Sequence, residues 1–238
     1  KKIKRFFHYK KDSPTIVKRR FIEEVPDLRK LLEFYEFNDN SLDNAQTKEL
    51  CAHLDKILQD YDAVIVADFG HGMLNEELIN LITKKSKFLA INTQVNAGNM
   101  GYNIISKYPK ADYICLDERE LRLECLDKKS ELKEILPMVA KKVFCDKILV
   151  TQGDQGCIIF SSNNIKKIPA FSDHVVDTMG AGDAFLSITS PLVALNVPIE
   201  VIGFIGNAIG ALKVKIIGNK EPIGKIVLYK YIKSLMSW

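Results

Sequence analysis

The sequence predicts an α/β fold: a doubly wound, mostly parallel sheet carrying a small β lid. Three observations lead there. Short apolar runs end on a polar residue, as in Ala63-Val-Ile-Val-Ala-Asp68 and Lys147-Ile-Leu-Val-Thr151. Stretches with helical apolar spacing lie between them, and strand–helix alternation of this kind builds parallel sheets. The opening residues differ, because charge is mixed with apolar residues along both extended runs there, as in strands with one exposed face. We therefore expect lid strands in residues 1–30 and an α/β core in residues 31–238. A length of 238 residues, 47% hydrophobic and 27% charged, suits one such unit.

In chain order, Ile3–Tyr9 and Thr15–Glu23 read as the lid strands, joined by a polar turn at Asp12, Ser13 and Pro14. Ser41–Tyr61 reads as a helix, with Leu50, Leu54, Ile57, Leu58 and Tyr61 on one face and Ser41 or Asp43 as its cap. Ala63–Asp68 has the continuous apolar character of a strand buried on both faces. A helix near Asn75–Lys85, the strand Phe88–Asn92, a long loop rich in Asn and Gly, and the strand Tyr113–Leu116 follow. Ser130–Phe144 is helical, kinked or restarted at Pro137, and leads to the strand Lys147–Thr151. Cys157–Phe160 and Ile165–Ile168, separated by Ser161-Ser-Asn-Asn164, form a hairpin. The remainder is helical over Ala181–Leu195, Ile199–Ile216 and Ile223–Leu235, with Pro198 and Pro222 at helix starts and Gly218 at a helix end.

Composition excludes several classes. No apolar run reaches the ~18–20 residues that span a bilayer, and Lys1–Lys11 is too basic for a secretory signal. The expectation is a cytoplasmic protein with no membrane partner. Five cysteines without a Cys-x-x-Cys pair offer neither a zinc ribbon nor a disulfide framework, and read as small buried hydrophobes. The net charge of +4 is uneven: Lys1, Lys2, Lys4, Arg5, Lys10, Lys11, Lys18, Arg19 and Arg20 meet only Asp12 in the first twenty residues. Such an arm suits nucleic acid through counterion release, a solvated strand face, or a flap over an anionic small molecule. Phe6, Phe7 and Tyr9 interleave as on a stacking platform, but no nucleic-acid motif accompanies them, so that use ranks last.

The strongest chemical signal is Val176-Asp-Thr-Met-Gly-Ala-Gly-Asp-Ala-Phe185. A loop with two glycines runs straight into an apolar helix, whose start presents unpaired N–H groups and a partial positive charge suited to a phosphate. Asp183, in the first helical turn, lies beside that anion site and can accept a proton from an attacking alcohol. The plainer alternative is a glycine turn capped by an acid. No Gly-x-Gly-x-x-Gly follows the first strand, and no Gly-Lys-Ser/Thr follows the turn, so neither a dinucleotide fingerprint nor a Walker loop fits.

The pattern Asp-Thr-x-Gly-Ala-Gly-Asp over 177–183 resembles the C-terminal signature of the ribokinase (PfkB) family of carbohydrate kinases. The resemblance implies a ribokinase-like fold, ATP and Mg²⁺ as cofactors, and transfer of a γ-phosphoryl group to a sugar hydroxyl. Asp183 would be the base, and the amides of Gly180, Ala181, Gly182 and Asp183 would stabilise charge on the transferring group. Thr151-Gln-Gly153-Asp-Gln-Gly156 looks like the family's Thr-x-Gly-x-x-Gly phosphate element, which makes Thr151, Gly153 and Gly156 nucleotide-binding residues. Asp117-Glu-Arg-Glu120 stands where the family usually has Asn-x-x-Glu, a motif that positions Mg²⁺ and its waters; Asp117 and Glu120 carry over, with Asp in the Asn place. Two carboxylates suit a hard cation that keeps its water; the plainer alternative is an acidic helix start that favours its dipole. Asn207-Ala-Ile-Gly-Ala211 resembles the helix bordering the adenine pocket, with Asn207 as a nucleotide contact or a packing residue. Asp177 matches a position that belongs to a monovalent-cation loop in potassium-activated relatives, so K⁺ is a further expected cofactor.

Pro14-Thr-Ile-Val-Lys-Arg-Arg20-Phe-Ile-Glu and Val66-Ala-Asp68-Phe-Gly-His-Gly72 look like the branch containing the heptose-phosphate kinases of ADP-heptose synthesis, enzymes often fused to or partnered with a nucleotidyltransferase. Asn92-Thr-Gln-Val-Asn-Ala-Gly-Asn99 departs from them, which leaves the sugar open. Lys18, Arg19 and Arg20 suit an anionic sugar phosphate, and an exposed strand face explains them as well. The resemblance covers nearly the whole chain but starts partway through the fold, without the first strand, glycine pair and acid that grip the sugar. The expected partners are ATP, a sugar or sugar phosphate and a second copy of the chain. Two rival readings remain: a nucleotide-binding module of a kinase and nucleotidyltransferase system that has lost catalysis, and an anion-binding protein using the basic arm.

Overall fold

The structure is a computed structural model that describes residues 3–23, 29–96, 98–172 and 174–237. Its first regular element is an antiparallel hairpin of β1 (Val17–Glu23) and β2 (Arg29–Glu36), with a register shift between Phe21 and Ile22. The expected strand Ile3–Tyr9 is not a strand. That segment runs beside α1 (Asn44–Ile57) instead, where Phe6 stacks on His53 with ring centroids 3.6 Å apart and Gln46 donates to the Tyr9 carbonyl at 2.7 Å. The partner of β1 is β2, which continues to Glu36 and so past residue 30.

Cross-strand pairing gives the hairpin two unlike faces. Lys18 pairs with Tyr35 and Arg20 with Glu33 on one; Arg19 pairs with Phe34 and Phe21 with Leu32 on the other. The first face is partly buried and the second is exposed, as the period of two along a strand requires.

Asp43 caps α1 by accepting from the Gln46 N–H at 2.8 Å. Then come β3 (Val64–Asp68), α2 (Glu76–Lys85, capped by Asn75), β4 (Leu89–Thr93) and β5 (Tyr113–Asp117). Next are α3 (Glu118–Cys125), α4 (Leu132–Lys142), β6 (Lys147–Thr151), β7 (Cys157–Ser161) and β8 (Asn164–Ile168). The chain ends in α5 (Ala181–Ala194), α6 (Ile199–Lys213) and α7 (Lys225–Leu235). The six strands β3 to β8 lie side by side in chain order, the first four parallel and the last two antiparallel. Ser162 and Asn163 turn the β7–β8 hairpin at φ 49° and 62°, the left-handed pair that a two-residue hairpin turn needs.

Strict alternation along the central strands makes three layers. In β5, Ile114 and Leu116 face one core with Ile79, Leu121 and Val139. Tyr113 and Cys115 face a second core with Phe185, Leu186 and Ile202. Burial on both faces explains why these strands read as unbroken apolar runs. Among the described residues, no helix is long and apolar enough to cross a membrane.

The second core depends on close approach of α6 to α5. A Cβ built on Gly206 would stand 2.5 Å from the ring of the buried Phe185, whereas one on Gly210, a turn later, would meet nothing within 4 Å. Gly206→Val should lower stability in urea unfolding by about 1–3 kcal/mol through overpacking. Gly210→Ala should leave stability unchanged or raise it; equal losses in both would show that the helix contact is not the limiting fit.

Candidate active site

The parallel strands deliver a row of polar residues to one edge of the sheet. Asp68 stands beside Thr93, and Asp117 beside Thr151, at the last rungs of their pairings. Ligands of open α/β sheets bind at this carboxyl edge. Here the edge faces the start of α5, and between them lies a cleft of about 600 Å³ lined by Gln94, Asp117, Glu120, Thr151 and Gly180–Asp183. A smaller cavity of about 160 Å³, walled by Gly156, Phe171, Asn207 and Gly210, adjoins it. Thr151, Gly153, Thr178, Ala181 and Gly182 border both spaces, so the two form one trough.

The floor of the trough is backbone. Gly180 caps α5 at φ +72°, and a Cβ there would come within 2.7 Å of Asn219 Oδ1. Only glycine takes that conformation freely. Gly180 has no side chain with which to cap the helix; the Ala181 N–H donates to the Thr178 carbonyl at 3.2 Å, and among the described residues those of Gly182 and Asp183 are left for a ligand. This narrows the expected amide set, since Ala181 is already bonded. Gly156, at φ +91°, turns the chain between β6 and β7, and a Cβ there would strike the Ile168 carbonyl at 2.1 Å. Cβ atoms added at Gly153, Gly182 and Gly210 would project into open space, so at those points the trough is shaped by missing side chains.

Asp183 is exposed in the first turn of α5, with Gln94 Nε2 3.5 Å from its Oδ1. The hairpin lies above it. Lys18 sits 5.3 Å from the Tyr35 ring centroid and 5.4 Å from that of Phe69. Burial first, and then Arg20, hold Lys18 below the usual lysine range, while Glu33 and Asp183 pull it back up. Arg20 is engaged by Glu33 and by the Met179 sulfur. Of the three adjacent cations, Arg19 lies on the outer face, Arg20 is engaged, and Lys18 feels the charge of Asp183.

Asp117 and Glu120 hold each other across the start of α3. The Glu120 N–H donates to Asp117 Oδ1 at 2.7 Å, and the Asp117 N–H to Glu120 Oε2 at 2.9 Å. Val95 N–H and Asn92 Nδ2 also donate to Glu120, at 3.2 and 3.3 Å. Among the described residues no group of three or more metal-ligating side chains converges. A cation that keeps its water shell and takes further ligands from a bound phosphate fits this pair, and one needing a full protein cage does not. Asn207 lines the smaller cavity, but its Nδ2 donates to the Ile168 and Pro169 carbonyls at 3.0 and 2.8 Å. It fixes the wall and does not aim its amide N–H₂ into the space.

Residues 5–224 match the family model described as pfkB family carbohydrate kinase. The chain belongs to this family. The bifunctional protein HldE of Campylobacter fetus subsp. fetus is 26% identical over 180 residues, 73% of this chain and 38% of that protein. HldE of Wolinella succinogenes is 26% identical over 197 residues, 81% of this chain and 40% of that protein. The chain thus spans well under half the length of these curated relatives. Phosphofructokinase-2 from Escherichia coli in complex with potassium aligns with a TM-score of 0.72 at 14% identity, over 92% of this chain and 72% of that one. Ribokinase from Thermotoga maritima gives 0.69 at 18% identity, over 93% and 70%. The likeness to these structures shows the ribokinase-like fold of the pfkB family.

Sequence reasoning missed Gln94, Glu118 and Phe69. Glu118 lines the cleft and accepts from Gln152 Nε2 at 2.7 Å, tying α3 to the Thr151–Gly156 turn. Nothing in its spacing distinguishes it from a surface acid. Gln94 carried a signal, since it lies in the stretch that departs from the heptose kinases.

Burial, and next the Asp117 carboxylate, push Glu120 up to about 7 against the N–H groups that donate to it. Between its ordinary value and about 7 the folded carboxyl keeps a proton that the unfolded one has released, so this group's contribution to stability falls as pH rises through that window. Urea unfolding of wild type and Glu120→Gln across this range should show their stability difference shifting against wild type by at most about 3 kcal/mol, then levelling off. A difference independent of pH would mean that Glu120 ionises normally.

Proposed function

We propose that the chain is the nucleotide-binding and phosphoryl-transfer part of an ATP-dependent kinase whose acceptor is an anionic sugar, a sugar phosphate. The observation that carries this reading is the placement of Asp183: exposed, in the first turn of a helix capped by a glycine, and within the electrostatic reach of Lys18. A base beside an anion hole and below a cation fits a negatively charged alcohol arriving at a phosphoryl group. The family match and the HldE relatives support the kinase part.

Each residue then has a role. The smaller cavity takes the base of the nucleotide, its wall fixed by Asn207, and the Thr151–Gly156 turn with the open backbone at Gly153 and Gly182 takes the phosphates. ATP would supply the transferable γ-phosphoryl group, whose charge Mg²⁺ would neutralise when bound. Asp117 and Glu120 orient water around the cation. The Gly182 and Asp183 amides hold charge on the transferring group, Asp183 removes the acceptor's hydroxyl proton, and Lys18 holds the acceptor's anionic end. The acceptor is a heptose phosphate or a related sugar, and a nucleotidyltransferase fused to or working with this chain would use the product. The outer face of the hairpin, where Phe21, Leu32 and Phe34 are 49%, 59% and 54% exposed, covers itself against a second copy.

The decisive assay is a coupled ADP measurement over sugars and sugar phosphates. Asp183→Asn should keep ATP binding and lower turnover by ~10²–10⁴; near-normal turnover would remove it as the base. Lys18→Gln should raise KM for a phosphorylated acceptor by about tenfold, the scale of one partly screened charge pair, with much less effect on an uncharged sugar. Chelation should abolish turnover and Mg²⁺ restore it, with Asp117→Ala/Glu120→Ala needing more Mg²⁺; an unchanged titration would leave both as structural acids. Light scattering should show Leu32→Asp shifting a dimer towards monomer.

A further inference from the structure

We infer that the ammonium group of Lys213 takes the place of a free monovalent cation beneath the anion loop, so that this kinase works without added K⁺. The inference rests on the kinase reading above and concerns the same site. The likeness at Asp177 implies a cation beside that residue, which bonds from the 176–180 loop to the 214–219 loop. The residues present do not fit a free ion. Asp177 Oδ1 accepts from the Met179 N–H at 3.0 Å and Oδ2 from the Gly218 N–H at 2.6 Å. The Val214 carbonyl accepts from both Val176 and Asp177, at 2.8 and 3.0 Å. The Gly218 carbonyl accepts from Lys213 Nζ at 2.5 Å. The oxygens that a cation would draw on are engaged already, and one of them by a cation belonging to the chain.

Lys213 is the last residue of α6 and only 6% exposed. A lysine is almost never buried to that degree without a purpose for its charge. Its end lies directly against the helix cap, where a Cβ added to Gly180 would stand 3.2 Å from Cε and 3.7 Å from Nζ. An ammonium and K⁺ have the same charge and similar size, and both are drawn to carbonyl oxygens. The tethered one needs no capture from solution. Placed under Gly180, it adds a fixed positive charge to the partial charge of the α5 N-terminus, and in this half-enclosed setting that charge is little screened.

The test compares the intact protein in KCl and in tetramethylammonium chloride at equal ionic strength, measuring turnover, ATP affinity and melting temperature with and without ATP. The wild type should behave alike in both salts. Lys213→Met should bind ATP about tenfold more weakly in tetramethylammonium and recover part of the loss in K⁺ or NH₄⁺. A K⁺-specific rise in the melting or turnover of the wild type would overturn the inference, as would Lys213→Met with unaltered ATP affinity in both salts. The wild-type comparison stands even if the variant does not fold. A protein that turns over no sugar but melts alike in the two salts would defeat the kinase reading and leave the cation assignment intact.

Discussion

The structure turns on the start of α5. Gly180 in the left-handed region brings the chain out of its loop and into a helix whose first N–H groups have no side-chain cap. In most helices Ser, Thr, Asp or Asn would fill that role, and an empty cap is a cost that something else must offset. Here three neighbours hold the loop in place: Asp177 bridges it to Gly218, Val214 accepts from its backbone, and Lys213 lies beneath it. On the proposed reading, the anion site is built by leaving a helix end unsatisfied and tying its loop to its neighbours. Asp183 follows, since a residue in that first turn would stand beside an anion held there while facing outward.

The core strands and most helices were legible because burial on both faces leaves a strong trace in sequence. Lys147–Thr151 runs as expected, and Asn75–Lys85 starts at its Asn cap. The lid was legible only in part. Strand β2 (Arg29–Glu36) has no deeply buried face, so its Leu31-Leu-Glu-Phe-Tyr stretch lacks the alternation that marks a half-buried strand, and Ile3–Tyr9 looked more strand-like than it is. Site residues were readable as types at a spacing, but not as occupied or free atoms. That Ala181 donates to Thr178, that Asn207 is committed to two carbonyls and that the Glu120 carboxyl accepts from three donors depend on tertiary closure. Spacing along a chain carries no record of such bonds.

The two-faced hairpin links site and assembly. Its period of two sends Lys18 and Arg20 down and Arg19, Phe21 and their partners up. Arg20 does not reach the cleft because Glu33 and Met179 hold it, and that anchoring fixes the hairpin's height above the loop. Lys18, left between Tyr35 and Phe69, is then held within the electrostatic reach of Asp183. Covering the outer face with another copy would stiffen the strand that carries Lys18, so burying apolar surface on one side sharpens a charge contact on the other.

Charge balance across the trough explains why its cations stand where they do. Asp117, Glu118, Glu120 and Asp183 line one cleft, and four acids alone would repel a nucleotide and a phosphorylated sugar alike. Glu120 relieves part of that repulsion by holding its proton towards neutral pH, since burial and Asp117 oppose its ionisation. Lys18 offsets it from above, at the end where an acceptor would enter, and Lys213 from below, at the loop where a phosphate would rest. Each lysine is partly or fully withdrawn from water, where a single charge has more effect than on an open surface. On the proposed reading, a mobile cation from solution would be needed only between them, beside Asp117, where charge would build up as a phosphoryl group moved from one anion to the other.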